Sequence, residues 1–294
     1  MSSCPITVAI PTYNRPAACR ALVERLLPQL PSNAQILVIE QGASMTLPHD
    51  SRIRVSHRAS PSLTRARNAA IDESAGELVL FLDDDCTPCP DIVPAHSSLH
   101  QEFPRHAVIF GKVHDRFNQG TRQRVIDIDL RTLAMTSDYG LDREEEVPCG
   151  PGGHCSIKRS VFAQVRFDPW FRGNAHFEEI DFAQRVSRRV GPLLFSSRAW
   201  IDHHMHEDGG CRAITTSVGF YFDRFYNRGL FFGKQCRLRD VNVFLRAQRN
   251  EIEYFSRRGK SHSLVQVGGA VAGLMTGFGA GLVRRRLGPS WYRY

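Results

Sequence analysis

Four short apolar segments alternate with helix-like segments over the first hundred residues, and this alternation constrains the fold more than any other feature. The segments are residues 6–10, 35–40, 53–56 and 77–82. Strands this apolar are buried on both faces, which is typical of a parallel sheet covered by helices. We therefore predict an α/β fold with a mostly parallel sheet flanked by helices. In such a sheet, ligands bind at the carboxyl ends of the strands.

The pattern beyond residue 106 is more mixed. Residues 107–110, 193–195 and 198–203 are predicted strands, and residues 175–190 are a predicted helix. We predict a helix followed by a loop over residues 121–137. The three glycines and the proline in Cys-Gly-Pro-Gly-Gly-His at residues 149–154 predict a loop.

Three consecutive aspartates, Asp83, Asp84 and Asp85, follow the fourth apolar segment directly. Like charges this close repel and raise one another's pKa unless a cation or strong donors neutralise them. A solvated acidic turn is one interpretation. The other is a Mg²⁺ or Mn²⁺ site for a diphosphate, because hard divalent ions take carboxylate oxygens and leave positions open for phosphate oxygens. The buried strand before the turn places it at the edge of the cleft and favours the metal site.

Two further clusters carry side chains suited to chemistry. In Glu-Glu-Ile-Asp at residues 178–181, a helix puts Glu178 and Asp181 on one face while Glu179 points elsewhere. An acidic helix start is also favoured by the helix dipole alone. The second cluster is His-His-Met-His at residues 203–206. Adjacent residues of a strand point to opposite faces, so at most one of the first two histidines faces the cleft.

The order and spacing of these clusters resemble those of the family 2 glycosyltransferases, over about residues 5–230. The motifs are Ile-Pro-Thr-Tyr-Asn-Arg at 10–15, Ala-Arg-Asn at 66–68, Phe-Leu-Asp-Asp-Asp at 81–85, Gly-Gly-His at 152–154 with Lys-Arg at 158–159, Glu-Glu-Ile-Asp at 178–181 with Arg185, and His203 with Gly-Gly-Cys-Arg at 209–212. Each motif is weak by itself, whereas the ordered set is specific. The resemblance implies the GT-A fold and an inverting enzyme that uses nucleotide-diphospho-sugars.

The same resemblance implies a role for individual residues. The nucleotide-sugar would be bound by Pro11, Tyr13, Arg15, Glu40, Arg67, Asp83 and Asp84. The metal, Mg²⁺ or Mn²⁺, would be bound by Asp85 and His203, with His206 as the rival histidine. The loop that lines the sugar and the acceptor would include Gly152, Gly153 and His154, together with Glu178. Glu179 would be the general base.

Two positions depart from the family pattern. Glu40 and Glu179 each stand where the family usually carries an aspartate. The carboxylate chemistry survives the extra methylene, but its reach changes, and a misplacement of ~1 Å can cost about 10²-fold in rate. Either the acceptor sits slightly further away than in the family, or activity is low.

The charge of the chain is concentrated in its last quarter. Residues 231–294 carry twelve Lys and Arg against three Asp and Glu, while the rest of the chain is near neutral. This argues against a nucleic-acid groove on the body and favours an anionic surface near the tail. We therefore divide the chain into a catalytic domain, residues 1–230, and a basic C-terminal helical region, residues 231–294.

The tail contains 23 residues, 261–283, without one Asp, Glu, Lys or Arg. Gly269, Gly273, Gly277 and Gly281 recur every four residues and form a small-residue packing face. Three interpretations stay open: a helix that lies on a membrane surface, a helix packed on the body, and a membrane span. The first predicts a peripheral membrane protein on the inner face of the cell membrane.

The predicted function is transfer of a sugar from a UDP-, dTDP- or GDP-linked donor to a hydroxyl of a glycan, polysaccharide or lipid-linked acceptor. The predicted partners are these substrates, an anionic membrane surface and a second copy of the chain, without nucleic acid. A nucleotidyltransferase, which would normally carry a Gly-rich loop at residues 11–15, is one alternative. A catalytically impaired nucleotide-sugar-binding protein and a structural membrane adaptor are the others. Residues 1–5 and the segment after them predict no secretory signal, so we expect the eight cysteines to be reduced thiols.

Overall fold

The protein is built on one nine-stranded mixed sheet with helices on both faces. The structure, a computed structural model, describes residues 6–206, 209–210, 217–258 and 264–287. The sheet strands are β1 (Ile6–Tyr13), β2 (Gln35–Gln41), β3 (Ile53–Arg58), β4 (Leu78–Leu82), β5 (Cys86–Pro88), β6 (Val108–His114), β9 (Glu144–Glu146), β10 (His154–Lys158) and β11 (Leu193–His203). Two further strands, β7 (Ile126–Asp129) and β8 (Ala134–Ser137), form a separate hairpin.

Strand order explains how the acidic turn comes to lie at a cleft. The order is β3-β2-β1-β4-β10-β6-β11-β5, and β9 pairs with β11. The first four strands in this order are parallel to one another, while β10 runs antiparallel between β4 and β6. Because β1, β2 and β4 are parallel neighbours, the residues that follow them meet at one edge of the sheet. The prediction of a mostly parallel sheet flanked by helices is confirmed.

Seven helices cover the sheet. They are α1 (Pro16–Leu26), α2 (Leu63–Glu73), α3 (Ile92–Glu102), α4 (Glu178–Arg189), α5 (Ser217–Gln235), α6 (Val241–Arg258) and α7 (Leu264–Leu287) among the residues described. Short 3₁₀ helices occur at Leu27–Gln29, Arg159–Ala163 and Leu238–Asp240. Two apolar clusters, one on each side of the sheet, form the core. One of them includes Phe225, Leu230 and Phe232 of α5, so this helix is part of the body.

Two local predictions need correction. Residues 121–137 do not form a helix: the β7–β8 hairpin occupies most of this range. The pairing of β7 with β8, from Ile126 opposite Ser137 to Asp129 opposite Ala134, replaces the predicted helix. The two predicted strands at 193–195 and 198–203 are one strand, β11, whose register shifts between Ser196 and Trp200. Ser197 and Arg198 interrupt the hydrophobic pattern at this irregularity, so the sequence suggested two strands where the backbone continues as one.

The small-residue face of α7 packs against α5. A Cβ at Gly273, Gly277 or Gly281 would overlap the backbone carbonyl oxygens of Phe222, Tyr226 and Leu230, respectively. The contacting residues advance by four along both helices from one contact to the next, so the two helices run parallel with their backbones in contact. Helix α5 also runs through residues 230 and 231, where we placed the domain boundary; that boundary stays a prediction.

The basic end of α7 is tied to the body by buried ion pairs. Arg284 donates to Asp168 at 2.9 Å, and Lys234 of α5 contacts the same carboxylate at 2.6 Å. Lys234 also lies 2.8 Å from Asp181 of α4. Part of the positive charge of the C-terminal region is therefore neutralised inside the fold.

Two glycines of α7 provide a matched test of this packing. Gly277→Ala is expected to lower the free energy of unfolding by roughly 1–3 kcal/mol, because its Cβ would collide with the backbone of Tyr226. Gly279→Ala is the control: a Cβ there meets no atom within 4 Å among the described residues. Alanine should then stabilise the helix by up to about 1 kcal/mol. Chemical denaturation of both variants measures the difference, and equal effects would show that α7 does not pack on α5 in solution.

The described cysteines lie inside the body of the protein. Within the described ranges all six are free and buried: Cys19, Cys86, Cys89, Cys149, Cys155 and Cys236. Burial raises the pKa of Cys149 and of Cys86. The thiols are therefore held in their neutral form, which argues against a redox or metal role for Cys86 and Cys89.

Candidate active site

An open cavity of about 130 Å³ lies at the carboxyl ends of β1, β2 and β4. Seven of the residues that we predicted for the site line it: Pro11, Tyr13, Arg15, Asp83, Asp84, Asp85 and His203. Two more lining residues, Thr12 and Gly210, belong to the motifs without a predicted role, while Gln41, Leu63 and Asn174 carried no motif signal. Gln41 follows Glu40 as the last residue of β2. Because adjacent side chains of a strand point to opposite faces, one of these two residues was bound to face the cleft side, and this signal could have identified Gln41.

A potential metal centre lies on one side of this cavity. Asp83, Asp85 and His203 each offer one ligand atom, and these atoms lie within 4.8 Å of one another. His203 Nε2 is 3.2 Å from Asp85 Oδ1 and 3.9 Å from Asp83 Oδ2. Two carboxylate oxygens and an imidazole nitrogen form a donor set that suits Mn²⁺, with positions left open for ligand oxygens. The described residues therefore fit a divalent cation.

Only one ring of the histidine cluster faces the acids. The ring of His204 contacts Thr87 Oγ1 at 2.8 Å, on the other side of the strand. His206 contributes its backbone: its N–H donates to Asp85 at 3.0 Å, and its carbonyl accepts from Arg15 at 2.7 Å. This arrangement favours His203 over His206 as a ligand. Cys211 and Arg212 of the same motif lie outside the described residues.

Arg15 and Thr12 hold the second aspartate away from this centre. Asp84 accepts from Thr12 Oγ1 at 2.6 Å and from Arg15 Nη1 at 3.0 Å. Arg15 Nη1 also lies 2.9 Å from Asp85. Burial raises the pKa of Asp84 to about 6, although both donors act against the rise.

The electrostatics distinguish Asp85 from its neighbour. Burial by itself would raise the pKa of Asp85, but hydrogen bonding and charge from His203, helped by Arg15, lower it to about 2. The pKa of His203 is raised in turn: the carboxylates of Asp85, Asp83 and Asp115 outweigh the effect of burial. Asp85 therefore keeps the negative charge that a cation requires.

A strained loop positions the acidic cluster of α4 beside the glycines. Ala175 and Phe177 adopt left-handed backbone, with φ of 54° and 75°. Non-glycine residues in this region cost of order 1–3 kcal/mol and cluster at functional sites. Helix α4 begins directly after the loop, so its first turn is fixed by this backbone.

Each of the three acids of that first turn has a different environment. Glu178 is buried in an ion pair with Arg67. Asp181 is buried between Arg185 and Lys234, at 2.7 and 2.8 Å. In the part of the chain that the structure describes, Glu179 alone of the three makes no ion pair. Burial raises the pKa of Glu179, and Asp83 raises it further while Arg67 acts against the rise.

The two glycines of the loop before β10 lie between the acidic turn after β4 and the first turn of α4. A Cβ at Gly152 would lie 3.0 Å from Glu179 Cβ and 3.1 Å from Arg67 Nη1. A Cβ at Gly153 would overlap the carboxylate of Asp83. Side chains at these two positions would separate the acidic turn from α4. The close approach thus depends on glycine at 153, and a side chain at 152 would make a tight contact.

Seven of the predicted residues are not among those that line the cavity: Glu40, Arg67, Gly152, Gly153, His154, Glu178 and Glu179. His154 is buried with its ring between His96 Nε2 and the carbonyl of Lys112, each at 3.1 Å. Burial lowers the pKa of His154 to about 4. Glu40 is buried at the end of β2, 3.6 Å from His57, and its Oε1 has no hydrogen-bond partner among the described residues. An unpartnered buried oxygen beside the cavity can accept from a ligand.

Comparisons with known proteins agree with this geometry. The sequence model described as Glycosyl transferase family 2 matches residues 7–166. An uncharacterised glycosyltransferase of Rickettsia felis is 32% identical over 87 residues, which cover 27% of this chain and 14% of that protein. The putative glycosyltransferase EpsH of Bacillus subtilis is 26% identical over 99 residues, which cover 31% and 29%. The chain thus spans less than a third of the length of these relatives.

Solved structures show the same fold at low identity. TarS 1-349 of S. aureus, solved in complex with UDP-GlcNAc, has a TM-score of 0.59 at 13% identity, over 98% of this chain and 91% of that chain. GalNAc-T7, solved with UDP, GalNAc and Mn²⁺, has a TM-score of 0.57 at 12% identity, over 80% and 51%. These likenesses concern the fold.

Proposed function

Since the chain belongs to Glycosyl transferase family 2 and has the GT-A fold, we propose that it transfers a sugar, with inversion, from a nucleotide-diphospho-sugar to a hydroxyl acceptor. The observation that carries the proposal is the cluster of Asp83, Asp85 and His203 across the glycine loop from Glu179. One group of residues can hold a leaving diphosphate, and the other can take a proton from the attacking hydroxyl.

The leaving group is the first requirement. Asp83, Asp85 and His203 would hold Mn²⁺ or Mg²⁺, which when bound supplies positive charge to the departing diphosphate. Arg15 lies against the same carboxylates and offers further positive charge at the cavity wall. Pro11 and Tyr13 would border the nucleotide base. The unpartnered oxygen of Glu40 would accept from the base or ribose.

The choice of an inverting mechanism rests on the acids of α4. A retaining double displacement needs two catalytic carboxyl groups, a nucleophile and an acid–base, whereas a single in-line displacement needs one general base. Glu178 and Asp181 are neutralised by buried cations, and Glu179 is not ion-paired among the residues described. Glu179 would therefore take the proton of the acceptor hydroxyl. Its raised pKa brings it closer to the range of an effective base at neutral pH.

A donor screen tests the function directly. Purified protein is incubated with UDP-, dTDP- and GDP-sugars and Mn²⁺, and both nucleoside diphosphate and pyrophosphate are measured. We expect release of nucleoside diphosphate from one donor class, beginning with UDP-sugars. Release of pyrophosphate would indicate a nucleotidyltransferase. Metal-dependent binding of UDP without release from any donor would indicate an impaired binding protein.

For localisation, we propose peripheral attachment to the cytoplasmic face of a membrane through the outer face of α7. Residues Val265–Leu287 are long and apolar enough to cross a membrane by length and composition. The glycine side of this helix is packed on α5, while its other side exposes Val265, Val271, Met275 and Val283. Arg285 and Arg286 are exposed at its end and would be attracted to anionic lipid by about 1 kcal/mol each. Such a position suits a lipid-linked or polymeric acceptor.

Vesicle binding tests this attachment. Val271→Asp is expected to weaken binding to anionic vesicles about 10-fold or more, because it replaces an apolar contact with a charge. Val55→Asp is the matched control, since Val55 is similarly exposed, at 43% against 47%, on β3. Equal binding of the two variants would contradict the proposal. Truncation after Asn227 is a poor test, because it removes Leu230, Phe231 and Phe232 from the core.

A further inference from the structure

A second carboxylate, Asp115, stands behind the histidine of the metal centre. Asp115 follows the last residue of β6, at the carboxyl end of a strand parallel to β11. Its Oδ2 lies 3.7 Å from His203 Nδ1, while His203 Nε2 lies 3.2 Å from Asp85. The imidazole ring is thus placed between two carboxylates, with one nitrogen toward each.

The Asp115 carboxylate is fixed by its own turn. Its Oδ1 accepts three hydrogen bonds: from the backbone N–H of Phe117 at 2.7 Å, and from the backbone N–H and the side-chain amide of Asn118, both at 2.9 Å. The side chain is only 7% exposed. Because three donors converge on Oδ1, the carboxylate cannot rotate freely, and Oδ2 stays directed at the ring.

We propose that Asp115 is a positioning residue that makes His203 Nε2 the metal-binding nitrogen. At 3.7 Å, the negative charge of the carboxylate favours the ring proton on Nδ1, so the lone pair of Nε2 is available on the side of Asp83 and Asp85. The same attraction favours this orientation of the ring. This inference rests on the proposed metal centre, and it assigns Asp115 no contact with the sugar or the nucleotide.

Asparagine at position 115 separates this role from a structural one. The three donors that now point at Oδ1 require an acceptor, so the amide oxygen of asparagine takes that place and the turn is preserved. The amide NH₂ is then directed at His203 Nδ1. It presents a donor where the carboxylate presented a negative charge, which favours a proton on Nε2 and disfavours metal binding by that nitrogen.

The experiment measures Mn²⁺ binding by electron paramagnetic resonance, in the absence of nucleotide. Asp115→Asn is expected to raise the Kd for Mn²⁺ about 10- to 100-fold with an unchanged unfolding temperature in the metal-free protein. It should also remove the spin-echo modulation of a coordinated imidazole nitrogen. Asp202→Asn is the matched control, because Asp202 lies 3.3 Å from His114 Nδ1 in a neighbouring His–Asp pair outside the metal centre.

Further variants make the result unambiguous. In a His203→Ala background, Asp115→Asn should cause no additional loss of Mn²⁺ affinity, since its effect passes through the ring. If Asp115→Asn fails to fold, Asp115→Ser replaces it, because a serine hydroxyl still accepts from the backbone of the turn. It should weaken Mn²⁺ binding in the same direction.

Three results would overturn the inference. Wild-type affinity in Asp115→Asn, with weakened binding in His203→Ala, would overturn the role of Asp115 and leave the metal centre standing. An equal loss in Asp202→Asn would show a general charge effect. Unchanged binding in both Asp85→Asn and His203→Ala would refute the metal centre itself, and the role of Asp115 would fall with it.

Discussion

Asp85→Asn is expected to abolish sugar transfer, with a loss of at least ~10³-fold in turnover, on the order of 4 kcal/mol of transition-state stabilisation. Asp85 lies at the centre of the site: its carboxylate contacts His203, Arg15 and the backbone N–H of His206. Asparagine keeps the size of the side chain and removes the charge that the cation needs. Donor binding should weaken together with turnover.

Kinetics of nucleoside diphosphate release over a Mn²⁺ titration measure this effect. Asp84→Asn is the control one position away. Asp84 is not one of the three clustered ligands, and its carboxylate is occupied by hydrogen bonds from Thr12 and Arg15. The loss of turnover in Asp84→Asn should therefore be much smaller than in Asp85→Asn. Chelation of the metal should reduce wild-type activity to the level of Asp85→Asn, and equal activity of Asp85→Asn and the wild type would contradict the proposed site.

Glu179→Gln is expected to lower transfer by about 10²–10⁴-fold while the Kd for the donor stays unchanged. The substitution removes a proton acceptor and leaves the metal centre intact. Glu178→Gln is the matched control: it unpairs the buried Arg67 and should mainly lower the free energy of unfolding, by roughly 3–5 kcal/mol. Weakened donor binding in Glu179→Gln would show that Glu179 holds the substrate and is not the base.

The pH profile provides a second test of the base. A general base works in its deprotonated form, and burial raises the pKa of Glu179. Wild-type kcat/KM should therefore fall as the pH drops through a pKa above the ordinary glutamate range, and Glu179→Gln should lack that acid limb. If the acid limb of the wild-type pH profile instead showed an ordinary glutamate pKa, the result would contradict the buried environment of this carboxyl.

Glu179→Asp distinguishes the two explanations of the departure from the family pattern. Aspartate would withdraw the carboxylate by one methylene from the position that Glu179 now gives it. We expect a loss of about 10²-fold in rate, as for a misplacement of ~1 Å. A gain in activity would instead show that the extra methylene is a handicap.

The strand pattern predicted the fold because each strand could be identified from its own residues. Four apolar segments sufficed for the parallel half of the sheet, and the aspartates after β4 identified its active edge. Elsewhere local patterns failed. Residues 126–137 form a hairpin, since β-pairing depends on a partner strand and not on the spacing within one segment. The continuity of β11 through its register shift was not evident for the same reason.

The sequence by itself determined which residue types reach the cleft: three aspartates, an acidic helix start and a histidine cluster. Tertiary structure alone decided which of them are free to act. Among the residues that the structure describes, Arg67 neutralises Glu178 across 111 residues and Glu179 has no ion pair, while His203 meets Asp85 across 118 residues and has Asp115 behind it. The charge state and orientation of a side chain depend on the groups folded against it. Those groups lie too far along the chain for any local pattern to specify them.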